Sequence, residues 1–114
     1  MPERTWQLYL RDISDSINKI IEYSKDITEV ELFSNDLILD AILRNLQVIG
    51  EATKKIPNEI KKNSKSIEWK KIAGLRDIIV HDYFGLDEDI ISDIVFNEIP
   101  ELKIEIQNNF SEIL

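Results

Sequence analysis

The single histidine of the chain, His81, stands five residues after Arg76 and two before Tyr83, in the run Leu75-Arg76-Asp77-Ile78-Ile79-Val80-His81-Asp82-Tyr83-Phe84. Imidazole is the side chain whose ordinary titration lies nearest neutrality. A carboxylate four residues earlier on a helix, here Asp77, can bond one ring nitrogen, fix the tautomer and leave the other nitrogen to move a proton. Without such partners, a histidine near a helix end is ordinary surface. Arg76 contributes a positive charge that it cannot shed. Helical projection puts it on the apolar side of its element, about two turns below Tyr83, where a guanidinium must meet a carboxylate of another helix, a cleft or a ligand. The Tyr83 ring lies on the same side, where it can simply pack with its hydroxyl at the rim. One histidine cannot make a metal site alone, the chain has no cysteine, and Asp82 and Asp87 show no ligand spacing, so no metal is expected.

The elements that must hold these groups read as helices. Trp6, Tyr9, Ile13, Ile17 and Ile20 recur at steps of three and four, which predicts one amphipathic helix over about residues 3–25. Thr28 followed by Glu31 fits a capping box and starts a short helical turn through Phe33; Ser34 or Asn35 then caps a second long helix ending near Ile56, before Pro57. A short piece from Pro57 and a polar stretch, residues 63–66, lead to the third helix, residues 69–84, ended by Gly85. Asp87, Glu88 and Asp89 place negative charge at the start of a fourth helix, residues 90–97, and Pro100 is expected to divide it from a last amphipathic stretch. The sum is an all-α, antiparallel up-and-down bundle of four to five helices.

The second long helix carries Asp36, Asp40, Arg44, Gln47, Glu51 and Lys54 on one stripe, read as solvated surface without a function. The rest of its circumference is apolar over roughly two thirds of a turn, wider than the ~100° that one core face needs, so a second partner is implied: another helix or a second protomer. Asn45 falls within this arc, as a tie between helices or as a group directed at the site. Gly50, on the same buried face, allows another backbone to approach closely.

The 114 residues fit one domain. The absence of cysteine, of a basic-then-apolar leader and of any apolar run long enough to span a bilayer predicts a cytoplasmic protein with no membrane partner. The net charge of −8 argues against nucleic acid as a partner, yet it hides an asymmetry. Between Lys54 and Arg76, eight basic residues face only Glu59 and Glu68, a local balance of +6 that leaves −14 for the rest. Such a segment is either a solvated connection between helices or a track for phosphates.

Arg76 to Tyr83, R-D-I-I-V-H-D-Y, resembles the R-x4-H-x-Y motif of HepT-type toxins in the HEPN superfamily of helical ribonucleases. Residues 41–52 resemble that family's second-helix signature, and Ile56-Pro57 followed by residues 69–77 resembles the approach to its catalytic helix. Specificity rests on the ordered set Gly50-Glu51-Ala52, Trp69, Gly74, Arg76, His81 and Tyr83.

The resemblance covers most of the chain and implies a single HEPN-like domain over residues 1–114. It further implies a metal-independent endoribonuclease toxin of a type VII (HepT/MntA-like) toxin–antitoxin system, acting on RNA without a cofactor. The site would form where the motif helices of a homodimer meet. Arg76 and His81 would be catalytic and Asp77 and Asn45 supporting, while Lys65, Lys70 and Lys71 would guide RNA phosphates toward the cleft. Tyr83 would accept AMP from an MntA-like nucleotidyltransferase antitoxin. The acidic average keeps a different class in view: a non-catalytic helical subunit that docks the nucleotidyltransferase through Arg76, His81 and Tyr83.

Overall fold

Apolar residues at steps of three and four give α1, Trp6–Ser24, an inner line of Leu10, Ile13, Ile17 and Ile20 that is fully buried. A computed structural model of the chain describes residues 4–81 and 87–114, with Val80 and His81 by their backbone alone. The expected roles of Tyr83 and of Gly85 as a helix terminator therefore lie outside the described residues.

The N-cap bond of the predicted capping box forms at α2, Glu29–Ser34: the Glu31 N–H donates to Thr28 Oγ1 at 3.2 Å, and that hydroxyl donates to Glu31 Oε1 at 3.2 Å. Asn35 then caps α3, Asp36–Thr53, by accepting from the Ile38 N–H at 3.2 Å. The α3 helix stops short of Ile56 because its last turn tightens. The N–H groups of Lys54, Lys55 and Ile56 each reach back three residues instead of four, before Pro57 disfavours helical backbone at Ile56.

Helix α4, Asn58–Lys62, follows Pro57 and carries Lys61, half-buried, whose pKa desolvation lowers from its ordinary value. The expected third helix is instead two segments, α5, Trp69–Ala73, and α6, Leu75–His81. The interruption is a single residue. Gly74 keeps right-handed helical angles, its N–H bonds the Lys70 carbonyl, and its carbonyl receives the Ile78 N–H, so the rod carries on with one irregular turn.

Asp87 caps α7, Glu88–Asp93, its Oδ1 accepting from the Asp89 and Ile90 N–H groups at 2.9 and 3.3 Å. The division expected at Pro100 does not occur. A π turn, Ile94–Glu98, joins α7 to α8, Ile99–Phe110, in one unbroken rod. Proline costs a helix the N–H bond to the carbonyl four residues back and clashes with it; the wider turn just ahead takes up that defect.

No strand occurs among the described residues: the fold is all-α. Helices α1 and α3 make its most extensive contact; α8 packs on α1, and α5 and α6 pack on α3. Between them Ile17, Ile20, Ile42, Leu46, Ile49 and Ile106 form a core from which water is excluded. Trp69 and Phe110 meet edge to face at 6.2 Å, with the Trp69 indole N–H on Ser64 Oγ at 3.0 Å, and so join α5 to the end of α8. No helix among the described residues is long and apolar enough to cross a membrane.

Candidate active site

The close approach anticipated at Gly50 has a definite object. A Cβ placed on Gly50 would lie 2.7 Å from the backbone nitrogen of Arg76 and 2.8 Å from its Cβ. Helix α6 thus crosses α3 with the Arg76 backbone seated on Gly50, and any larger residue would lift the arginine away. Glycine here sets where the guanidinium leaves the core.

From that seat the Arg76 side chain rises along the seam between α3 and α6. Its Nε is buried without a hydrogen bond among the described residues, while the side chain as a whole is 37% exposed. The apolar-side position read from the sequence therefore applies to the base of the side chain, and its head reaches solvent. Two carboxylates stand near it at ion-pair range: Glu51 Oε1 is 3.5 Å from Nε, and Asp77 Oδ1 is 3.5 Å from one terminal nitrogen. Lys54 Nζ lies 3.6 Å from the same Asp77 oxygen. Two cations and two anions thus face one another at the C-terminal end of α3 and the start of α6. The distances are long for charge-assisted hydrogen bonds and the groups are half-exposed, so the pairs are loose and contribute ~0–1 kcal/mol each. A phosphate would find a guanidinium that is held near the surface and is not locked by its partners.

Glu51 belongs to the α3 stripe that helical projection reads as solvated surface without a function. Its neighbour Gly50 was the available signal, since the residue after a close helix crossing borders whatever the crossing positions. Asp77, expected to orient His81, has one oxygen near Arg76 and Lys54. The backbone places His81 on α6, and its ring lies outside the described residues. Asn45, half-buried, donates through Nδ2 to the Ala41 carbonyl of its own helix at 2.8 Å, so the bond described for it runs within α3 and not between helices.

Of the basic segment, Lys65 and Lys70 are exposed with no ion-pair partner among the described residues. Lys71 is engaged: Glu98 of the π turn accepts its hydrogen bond, Glu68 lies at 3.7 Å, and the bond to Glu98 raises the lysine pKa from its ordinary value.

A family model described as "Ribonuclease HepT-like" matches residues 13–108, a span that holds Gly50, Glu51, Arg76, His81 and Tyr83. "Putative RNase MJ1380" of Methanocaldococcus jannaschii is 37% identical over 107 residues, which is 94% of this chain and 98% of that protein. "Putative RNase MJ0125" of the same organism is 38% identical over 113 residues, 99% of this chain and 97% of that protein. "Probable ribonuclease HepT" of Thermococcus cleftensis is 36% identical over 101 residues, 89% of this chain and 92% of that protein. No solved structure matches the chain. With its all-α fold, its motif helix seated on Gly50 and these similarities along nearly its whole length, the chain belongs to the HepT-like ribonuclease family.

Proposed function

We propose that this member of a ribonuclease family is a metal-independent endoribonuclease toxin whose site is completed by two protomers. The observation that carries the reading is the Arg76 guanidinium, seated by Gly50 at the α3–α6 seam, partly exposed and only loosely paired, on the same helical segment as the single histidine.

RNA carries its own nucleophile. A base takes the 2'-hydroxyl proton, the oxygen attacks the adjacent phosphorus, the bond to the 5'-oxygen breaks, and an acid protonates the leaving oxygen; the products are a 2',3'-cyclic phosphate and a 5'-hydroxyl. Charge builds on the phosphoryl oxygens as phosphorus becomes five-coordinate, which is where a guanidinium lowers the barrier. Arg76 fills that role. His81 serves as base, and the same residue of a second copy serves as acid, because one imidazole per chain cannot easily do both in one turnover. Residues five apart on a helix lie about 140° apart around its axis, which also favours a site assembled from two motif helices. On α3, the half-buried Ala41 and Val48 and the exposed Leu37 leave apolar surface for the second copy.

The proposed off switch rests on the motif resemblance at Tyr83 and on charge. AMP transferred to the Tyr83 hydroxyl by an MntA-like nucleotidyltransferase would bring bulk and negative phosphate to where RNA phosphate binds. The net charge of −8 favours the second reading, a non-catalytic partner of that nucleotidyltransferase. End-group analysis separates the two. The nuclease reading expects cyclic phosphate ends from the purified chain in the presence of a chelator, lost when the wild type, but not Tyr83→Phe, gains adenylate mass. Absence of cleavage across varied RNAs, with partner binding weakened by His81→Ala, would support the second.

A further inference from the structure

Away from the arginine seam, two clefts of about 330 and 290 Å³ meet at Lys71, Leu75, Ile94 and Glu98 to form one groove. One wall is α5 and α6; the other is the continuous rod from α7 through the π turn to α8. The Trp69–Phe110 contact and a hydrogen bond from Asn109 to Ser66 tie the walls together beyond one end. Apolar side chains stand at this groove in contact with water: Ile78, Ile90 and Ile104 are 38, 51 and 57% exposed. From Ile90 to Glu105 the helical wall runs ~22 Å, about four turns.

The rim is acidic. Glu68, Asp89, Asp93, Glu98, Glu101 and Glu105 line the two clefts with one cation, Lys71, which Glu98 and Glu68 already hold. The rod keeps its five carboxylates in line by means of the π turn. A five-residue step in an α-helix would swing Glu98 ~140° round from Asp93, whereas the wider turn absorbs the additional residue and returns it to the line of Asp89, Asp93, Glu101 and Glu105. That alignment leaves Ile90, Ile94 and Leu102 as a parallel apolar line beside the acidic one. A π turn commonly marks a functional position in a helix, and here it sets this surface pattern while keeping Ile94 and Val95 buried in the core.

We propose that this groove docks a basic amphipathic helix of a partner protein. The apolar floor takes the apolar face of that helix, and the carboxylate line pairs with its lysines or arginines, a helix-in-groove mode with charge complementarity. RNA is repelled by the same rim, so the groove is separate from any phosphate path, and the inference does not rest on the nuclease reading.

The test uses a fluorescein-labelled leucine–lysine amphipathic peptide of about 15 residues, with a leucine–glutamate peptide as counterpart, titrated against the full chain by anisotropy. The lysine peptide should bind and the glutamate peptide should not. Glu101→Lys/Glu105→Lys and Ile90→Ser/Ile104→Ser should each weaken binding at least about tenfold. Asp26→Lys/Glu29→Lys, at exposed carboxylates that line neither cleft, should leave it unchanged, and all three variants should melt as the wild type does. No binding, or equal loss in the Asp26/Glu29 variant, would overturn the proposal. So would a change in protomer number caused by Ile90→Ser/Ile104→Ser, which would make a second copy the occupant.

Discussion

Whether Arg76 belongs to a reactive site or to a structural ion pair turns on how deeply its charge is buried. Removing a partner from a buried pair costs ~3–5 kcal/mol, yet this guanidinium is 37% exposed and stands 3.5 Å from each carboxylate. Arg76→Ala should therefore change stability by no more than ~1 kcal/mol in denaturant titration while lowering RNA cleavage at least a hundredfold, ~2.7 kcal/mol. Loss of folding in parallel with activity would return Arg76 to the framework. Glu51 sets the electrostatic background of the same atom. Neutralising it as Glu51→Gln leaves Arg76 and Lys54 opposed by Asp77 alone, and at ~6 Å in water one charge is worth about 0.7 kcal/mol, so KM for RNA should fall roughly threefold at low salt. An unchanged or raised KM would mean that Glu51 holds the arginine in its working position. The residues of the motif were legible in the sequence from type and spacing; Glu51 was not, because a projection of α3 alone cannot show that α6 lies against Gly50.

At the scale of elements, the crossing of α3 and α6 is the joint on which the site depends. Gly50→Ala would put a methyl group 2.7 Å from the Arg76 backbone nitrogen and 2.8 Å from its Cβ, and should cost ~1–3 kcal/mol and displace the guanidinium, with activity lost well below the melting temperature. A variant as stable and active as the wild type would show that the helices separate freely. The Lys71–Glu98 pair joins α5 to the π turn. Because Glu98 raises the folded-state pKa of Lys71 above its ordinary value, the contribution of the pair is fully present below that ordinary value and lost as pH rises through the raised one. Thermal melts of Lys71→Met should therefore lack a decline that the wild type shows on the alkaline side of pH 10.5. The caps at Thr28 and Asn35 were legible because each depends on one short side chain and the N–H groups just after it. The break at Gly74 and the π turn before Pro100 were not, since both are settled by what the rod packs against, and glycine and proline alone do not specify which irregularity a helix adopts.

For the whole molecule, the account requires two copies. The wide apolar arc of α3 was visible in its periodicity, but how much of it this chain covers depends on tertiary packing: Ile42, Leu46 and Ile49 are buried while Leu37 is 82% exposed. Light scattering should give twice the 13.3 kDa of one chain, and dimers mixed from wild-type and His81→Ala chains should lose most of their activity, because each holds a single imidazole. The charge asymmetry acts at this scale too, with a basic stretch through Lys65 and Lys70 on an otherwise acidic body that can turn RNA away elsewhere. The most direct test of the central claim is cleavage of end-labelled RNA by the purified wild-type chain and by His81→Ala, in a chelator and at matched melting temperatures. The account predicts internal cuts ending in cyclic phosphate for the wild type and none for the variant; equal cleavage by both proteins, or cleavage by the wild type only after a divalent ion is restored, would contradict it.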